Sequence, residues 1–160
     1  LEYQAIVNDS RTIMYDFQDF TYNDNGVVGG GRIVRKLTNA NGNPESMINE
    51  TITVSFPNSD ITATREGERI AEWVEGVGSG TWSDNVYHIN GGWTTTFTNG
   101  FERTGEVTKT LVRRLSCIYL VEGILEVTQD GLTGSLDFGE GACDNVAIFT
   151  INGSQYTVNL

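Results

Sequence analysis

"NVAIFTINGSQYTVNL", residues 145 to 160, decides the fold class. Asn152-Gly153 is the dipeptide that most readily takes the positive φ angles of a tight hairpin turn. It separates a run carrying Val146, Ile148 and Phe149 from one carrying Tyr156, Val158 and Leu160. The expectation is an antiparallel hairpin with an apolar face. Four more Asn-Gly pairs lie upstream, at Asn25-Gly26, Asn41-Gly42, Asn90-Gly91 and Asn99-Gly100.

Between these pairs the chain reads as about a dozen short strands rich in β-branched and aromatic residues, among them "GRIVRKLTN", "DITATRE", "ERIAEWVEG", "NVYHIN" and "GWTTTFT". In "CIYLVEGILEV" (117 to 127), alternation puts Tyr119, Val121, Leu125 and Val127 on one face and Ile118, Leu120 and Ile124 on the other. Only "GERIAEWVEG" invites a helical reading, and it is too short and too closely bounded by glycine to sustain one. The fold expected is all-β: an antiparallel β-sandwich or a curled β-meander with many Asn-Gly hairpins. Without crossover helices, a βαβ fold is excluded.

Two prolines and nineteen glycines, with no linker-like stretch, mark residues 1–160 as one β-rich domain. Ten Lys and Arg against twenty-one Asp and Glu give a formal charge of −11, which disfavours nucleic acid and anionic membrane surfaces as partners. No run reaches the roughly 18 apolar residues of a transmembrane helix. Cys117 and Cys143 are the only cysteines. They are expected to form one disulfide, closing a loop of about 25 residues and contributing roughly 3 kcal/mol. Such a bond belongs to an oxidising compartment, and so to an exported protein.

Little in the sequence marks catalysis. The single histidine, His88, lies in a strand-like run with no nucleophile motif near it. Glu72 and Glu75 flank Trp73 as a glycosidase pair would flank a stacked sugar, but a solvated acid pair beside a core indole accounts for them as well. Gly-rich "GVVGGGR" (26 to 32) lacks the helix and the Lys-Ser/Thr pair of a phosphate loop and reads as a bulged or closely packed strand. Asp137, Glu140, Asp144 and Asn145 supply oxygens around glycines, the composition of a loop Ca2+ site, and are the candidate ligands for the only cofactor considered. The competing reading is turn chemistry, in which these side chains bond nearby amides. Trp73, Trp82 and Trp93 are candidates for a carbohydrate platform if their indoles are exposed.

Two stretches, "TLVRRLSCIYLVEGILEV" at 110 to 127 and "GSLDFGEGACDNVAIFTING" at 134 to 153, resemble the C-terminal half of a family of uncharacterised secreted proteins and lipoproteins from Bacteroidota. "EWVEG" (72 to 76) and "YNDNGVVGGGRIVRKLTN" (22 to 39) extend the resemblance upstream in the same order. It implies a β-rich fold at an extracellular or outer-membrane surface, and no assigned chemistry. Family members usually carry, ahead of the region matching residues 1 to 22, a further strand-like segment with another cysteine, and many begin at a lipid-modified cysteine. This chain starts at Leu1 with neither. A sheet lacking that strand would invite strand addition from a neighbour.

The function expected is therefore a non-catalytic, cell-surface structural or adhesive protein, a fibre subunit joined to copies of itself by strand exchange. The alternative is an envelope module that binds a carbohydrate or other ligand, such as a surface polysaccharide.

Overall fold

The computed structural model describes all 160 residues and holds no helix. Eleven strands follow one another in a single antiparallel sheet whose spatial order is the order of the chain. They are β1 (Glu2–Tyr3), β2 (Ser10–Tyr22), β3 (Asn25–Lys36), β4 (Glu45–Ser55), β5 (Thr62–Glu75) and β6 (Val86–Phe97), followed by β7 (Glu102–Arg114), β8 (Glu122–Gln129), β9 (Leu132–Glu140), β10 (Val146–Ile151) and β11 (Ser154–Asn159). Of the two expected architectures it is the curled meander. The sheet is one layer, not closed into a barrel.

The closing hairpin is as expected: Asn152 and Gly153 have φ angles of 50° and 76°, both positive as a type I′ turn requires. Asp130-Gly131, at 50° and 78°, makes the same turn between β8 and β9. Two other Asn-Gly pairs do not turn the chain. Asn23 and Asp24 form the β2–β3 turn, so Asn25-Gly26 opens β3. Asn90-Gly91 lies inside β6, at a register shift between Ile89 and Gly92.

Strands are accordingly longer than expected. β2 to β7 run 11 to 14 residues each. "DITATRE" and "ERIAEWVEG" join through Gly67 into β5, and "NVYHIN" and "GWTTTFT" join through Gly91 and Gly92 into β6. Gly67 belongs to a lateral row. Tyr15, Gly31, Glu50, Gly67, Trp93, Gly105, Val127, Gly134 and Ile151 are paired in succession from β2 to β10, large residues alternating with glycine.

Sterics explain the alternation. The ring of Trp93 lies over Gly105 so closely that a methyl group there would sit 2.5 Å from indole Cε2. Tyr15 covers Gly31 in the same manner, 2.7 Å from the position of a methyl, and Phe149 covers Gly134 at 2.5 Å. Each aromatic restores the apolar cover that its neighbouring glycine lacks, a known device of sheets.

Clustered apolar burial is confined to the C-terminal side. Val86, Val112, Cys117 and Val121 form one cluster, with Val74 and Tyr119 against it. Leu111, Phe138 and Ala147 form the other, packed by Ile89, Val107, Leu120, Leu125 and Leu136. Neighbouring residues on a strand point to opposite faces, so Leu111 and Val112 place the two clusters on opposite sides of the sheet. The expected single face for Val121 and Leu125 is thereby corrected. Gly123, at φ 109°, sits at a register irregularity that breaks the alternation between them, and β8 begins only at Glu122.

Cys117 and Cys143 are bonded, with Cα atoms 5.8 Å apart. The bond joins the β7–β8 connection to the β9–β10 connection beside the first cluster. Both arginines of "RRLSC" serve the same junction: Arg113 donates to the carbonyls of Cys117 and Tyr119, and Arg114 to that of Gly141.

Candidate ligand-binding groove

The register sorts the charges by face. Residues paired across a sheet share a face, and β3 to β5 carry no register shift between them, so the assignment runs without a break across the centre. Arg11, Arg35, Arg65, Arg69, Arg103 and Arg113 all fall on the face of Leu111, with Glu50 its only carboxylate among the paired residues. Thirteen carboxylates fall on the other face, against Arg32, Lys36, Lys109 and Arg114. The strand stretch "REGER" (65 to 69) shows how: its arginines and its glutamates alternate. An acidic protein thus carries one locally cationic face.

On that arginine face lies a half-enclosed groove of about 360 Å³. One wall is polar and aromatic: Tyr15, Glu50, Arg65 and Trp93. The other is apolar, from Ile48, Ile89, Val107, Leu111 and Leu125, and Arg69 stands at its side. Gly67 leaves the floor bare between Arg65 and Arg69. The side chains stand on sheet residues, not on loops, so their positions are fixed by the hydrogen-bond ladder.

Within the groove the groups are loosely tied. The Arg65 guanidinium lies over the Trp93 ring at 4.5 Å from its centroid, and its Nε is 3.8 Å from Glu50 Oε1. The Tyr15 hydroxyl donates to Glu50 Oε2 at 3.3 Å. Partial burial, with the Glu50 charge beside it, raises the pKa of this phenol above its ordinary value. Arg69 makes no salt bridge.

The opposite face has a larger, open trough of about 1140 Å³ across the same waist. Backbone around the glycine row forms its floor, and Asp16, Glu66, Glu68 and Glu106 stand along it. No three His, Cys, Asp or Glu side chains converge there or elsewhere as a metal site would require.

The three indoles expected to form a platform are dispersed. Trp82 is 69% exposed in the β5–β6 connection. Trp73 shares the arginine face with Trp93 but pairs with Tyr87, six residues and so roughly 20 Å along β6 from it. It stacks on Tyr87 at 5.9 Å, its Nε1 buried without a hydrogen-bond partner. Only Trp93 lines the groove.

The four oxygen ligands considered for Ca2+ are engaged separately. Asp137 accepts from the Gly139 amide, Asp144 from the Val146 amide, and Glu140 from Lys109. Asn145 is exposed beside Asp144. The two Asp contacts are turn-forming bonds.

Glu72 does not flank the Trp73 indole, because adjacent residues of β5 point to opposite faces. Its Oε1 instead accepts from the side-chain amides of Asn39, Asn41 and Asn43, at 2.9, 3.0 and 2.9 Å. Those three bonds hold its carboxyl below the usual range, and the hydrogen bond from Lys36 does the same for the paired Glu45. Glu72 therefore anchors the β3–β4 loop, and His88 lies directly across from it on β6.

Of the groove's polar and aromatic residues the sequence marks Trp93 but not Tyr15, Glu50, Arg65 or Arg69. The alternation in "REGER" carries the signal for the two arginines, and Gly67, which looks like a strand boundary, conceals it. No family model, no curated protein and no solved structure matches this chain.

Proposed function

We propose that this is a non-catalytic binding and adhesive protein of the cell surface, which presents the arginine-face groove to a carbohydrate. The observation that carries the reading is the groove's make-up: one indole, one phenol, a carboxylate and two guanidiniums around a floor cleared by glycine. Its volume lies at the lower end of the range of small-ligand sites. Aromatic faces with a few directed polar groups suit a sugar, whose C–H face stacks and whose hydroxyls need both donors and acceptors. The disulfide is compatible with an extracellular or outer-membrane location. The test is binding to an array of surface polysaccharides: Trp93→Ala is expected to abolish the signal while Trp82→Ala leaves it unchanged.

A second reading, the fibre subunit joined by strand exchange, is favoured by β11. This strand, "SQYTVN", is largely exposed at the sheet edge and has no charged residue and no proline to deter pairing. Filaments in electron micrographs of the purified protein would support it. A concentration-independent monomer in sedimentation would remove it.

A further inference from the structure

From the groove and the line of arginines leading out of it, we infer that the ligand is an acidic polysaccharide, bound through the carboxylates of uronic acid residues. The inference rests on the binding role proposed above and adds the class of ligand. Three observations converge on it.

First, the cations form a path. Arg65 and Arg103 stand in one lateral row, separated by Thr95 of β6. Arg69 lies four residues along β5 from Arg65, and Arg35 lies two strands beyond and two residues along, with Arg11 directly beside it. Successive steps from Arg103 to Arg65, Arg69 and Arg35 are roughly 10 to 13 Å in Cα position, from strand spacing and rise. A line of separated cations matches a polymer with recurring anionic groups better than it matches one compact anion.

Second, the guanidiniums along this path lack close carboxylate partners, although Arg103 at its end donates to Gln129 Oε1 at 3.0 and 2.7 Å. Arg69, Arg35 and Arg11 make no salt bridge, and the contact of Arg65 with Glu50 is long at 3.8 Å. The bare floor over Gly67 leaves space between Arg65 and Arg69 for a carboxylate, which guanidinium binds in a two-pronged geometry. Arg65 covers the outer face of Trp93, the inner face of which lies on Gly105. When Arg65 turns to a ligand carboxylate, that outer indole face becomes free for the sugar ring.

Third, Glu50 answers the free hydroxyls that a uronate chain carries and a DNA backbone lacks. A carboxylate within the groove accepts hydrogen bonds from hydroxyls and repels any anion beside it, which directs the carboxylates of a ligand to Arg65 and Arg69 and its hydroxyls to Glu50. In a protein of net charge −11, the arginine face is the side on which such a chain meets favourable charge.

The test is calorimetric titration of the full chain with oligogalacturonate, maltohexaose as the neutral counterpart, and single-stranded DNA. The expected result is binding of oligogalacturonate alone, weakening with added salt. Arg69→Gln should lower the affinity at least tenfold, with Arg69→Lys intermediate, and Arg32→Gln on the acidic face should leave it unchanged. Arg69 is exposed, so these variants are expected to fold, with unchanged melting temperatures as the check.

Equal affinity for oligogalacturonate and maltohexaose, lost in Trp93→Ala, would overturn the acidic class while sparing the sugar-binding role. DNA competing as well as the acidic sugar would overturn it in favour of a general polyanion surface. Failure to bind any of the three, or undiminished binding by Arg69→Gln, also contradicts it.

Discussion

The two sides of this sheet share one ladder and differ in what lies on it. From β6 to β10 the strands have buried clusters on both faces, a disulfide across two connections, and Val121 with no exposed surface at all. From β1 to β5 the buried residues are Ile13, Val27 and Ala63, and none belongs to a cluster. The accessible surface of the whole chain is 9872 Å², against about 7,900 Å² for a compact monomer of this size. Burial on the C-terminal side supplies the hydrophobic stabilisation, and the N-terminal wing extends from it by hydrogen bonding and cross-strand rows, with 81 of 99 backbone hydrogen bonds inside the ladder. A wing with both faces open is suited to presenting side chains.

The largest effect that would sharpen this contrast is expected at Phe138. Phe138→Ala should cost about 3–4 kcal/mol in urea unfolding, since it empties the cluster built around Leu111 and Ala147. Ile48→Ala in the wing, at a half-buried position, should cost only about 1 kcal/mol. Equal costs would break the comparison.

Next comes the disulfide. The double variant Cys117→Ser with Cys143→Ser should lose roughly 3 kcal/mol, the value for a loop of this length. The loss should be read as earlier melting of β7 to β10.

The glycine row gives a smaller but more local effect. Gly105→Ala should cost roughly 1–3 kcal/mol by pushing the indole off its seat, and should shift the Trp93 fluorescence. Gly26→Ala, where the nearest atom is Ser55 Cβ at 3.9 Å, should change stability by less than about 0.5 kcal/mol.

Smallest is the loop anchor in the wing. Glu72→Gln should cost about 1 kcal/mol at neutral pH, because a carboxylate bonded by three amides becomes a neutral amide. The folded-state pKa of Glu72 is depressed, so its contribution is fully present above the unfolded value of about 4.3 and is lost as pH falls through the lower folded value. Acid titration of stability should therefore be shallower in Glu72→Gln than in the parent below pH of about 4.

Much of this was legible in the residues, because turn chemistry is local. Asn152-Gly153 and the β-branched runs around it announce an antiparallel meander, and two cysteines without a metal motif announce their bond. What stayed hidden depends on register. Gly31, Gly105 and Gly134 look like punctuation in isolation, and only their alignment beside Tyr15, Trp93 and Phe149 reveals them as seats for aromatic rings. The irregularity at Gly123 likewise has no signature in the alternation it interrupts. The groove drew its arginines from a stretch divided at Gly67, and its Tyr15 and Glu50 from strands far apart in sequence.

Native-state hydrogen exchange, resolved strand by strand, tests most directly whether a stapled nucleus carries an open wing. Amides of β7 to β10 should exchange only through global unfolding, while those of β2 to β4 exchange through a cheaper, partial opening that leaves the nucleus folded. A single protection level from β2 to β10, rising and falling together with denaturant, would contradict it.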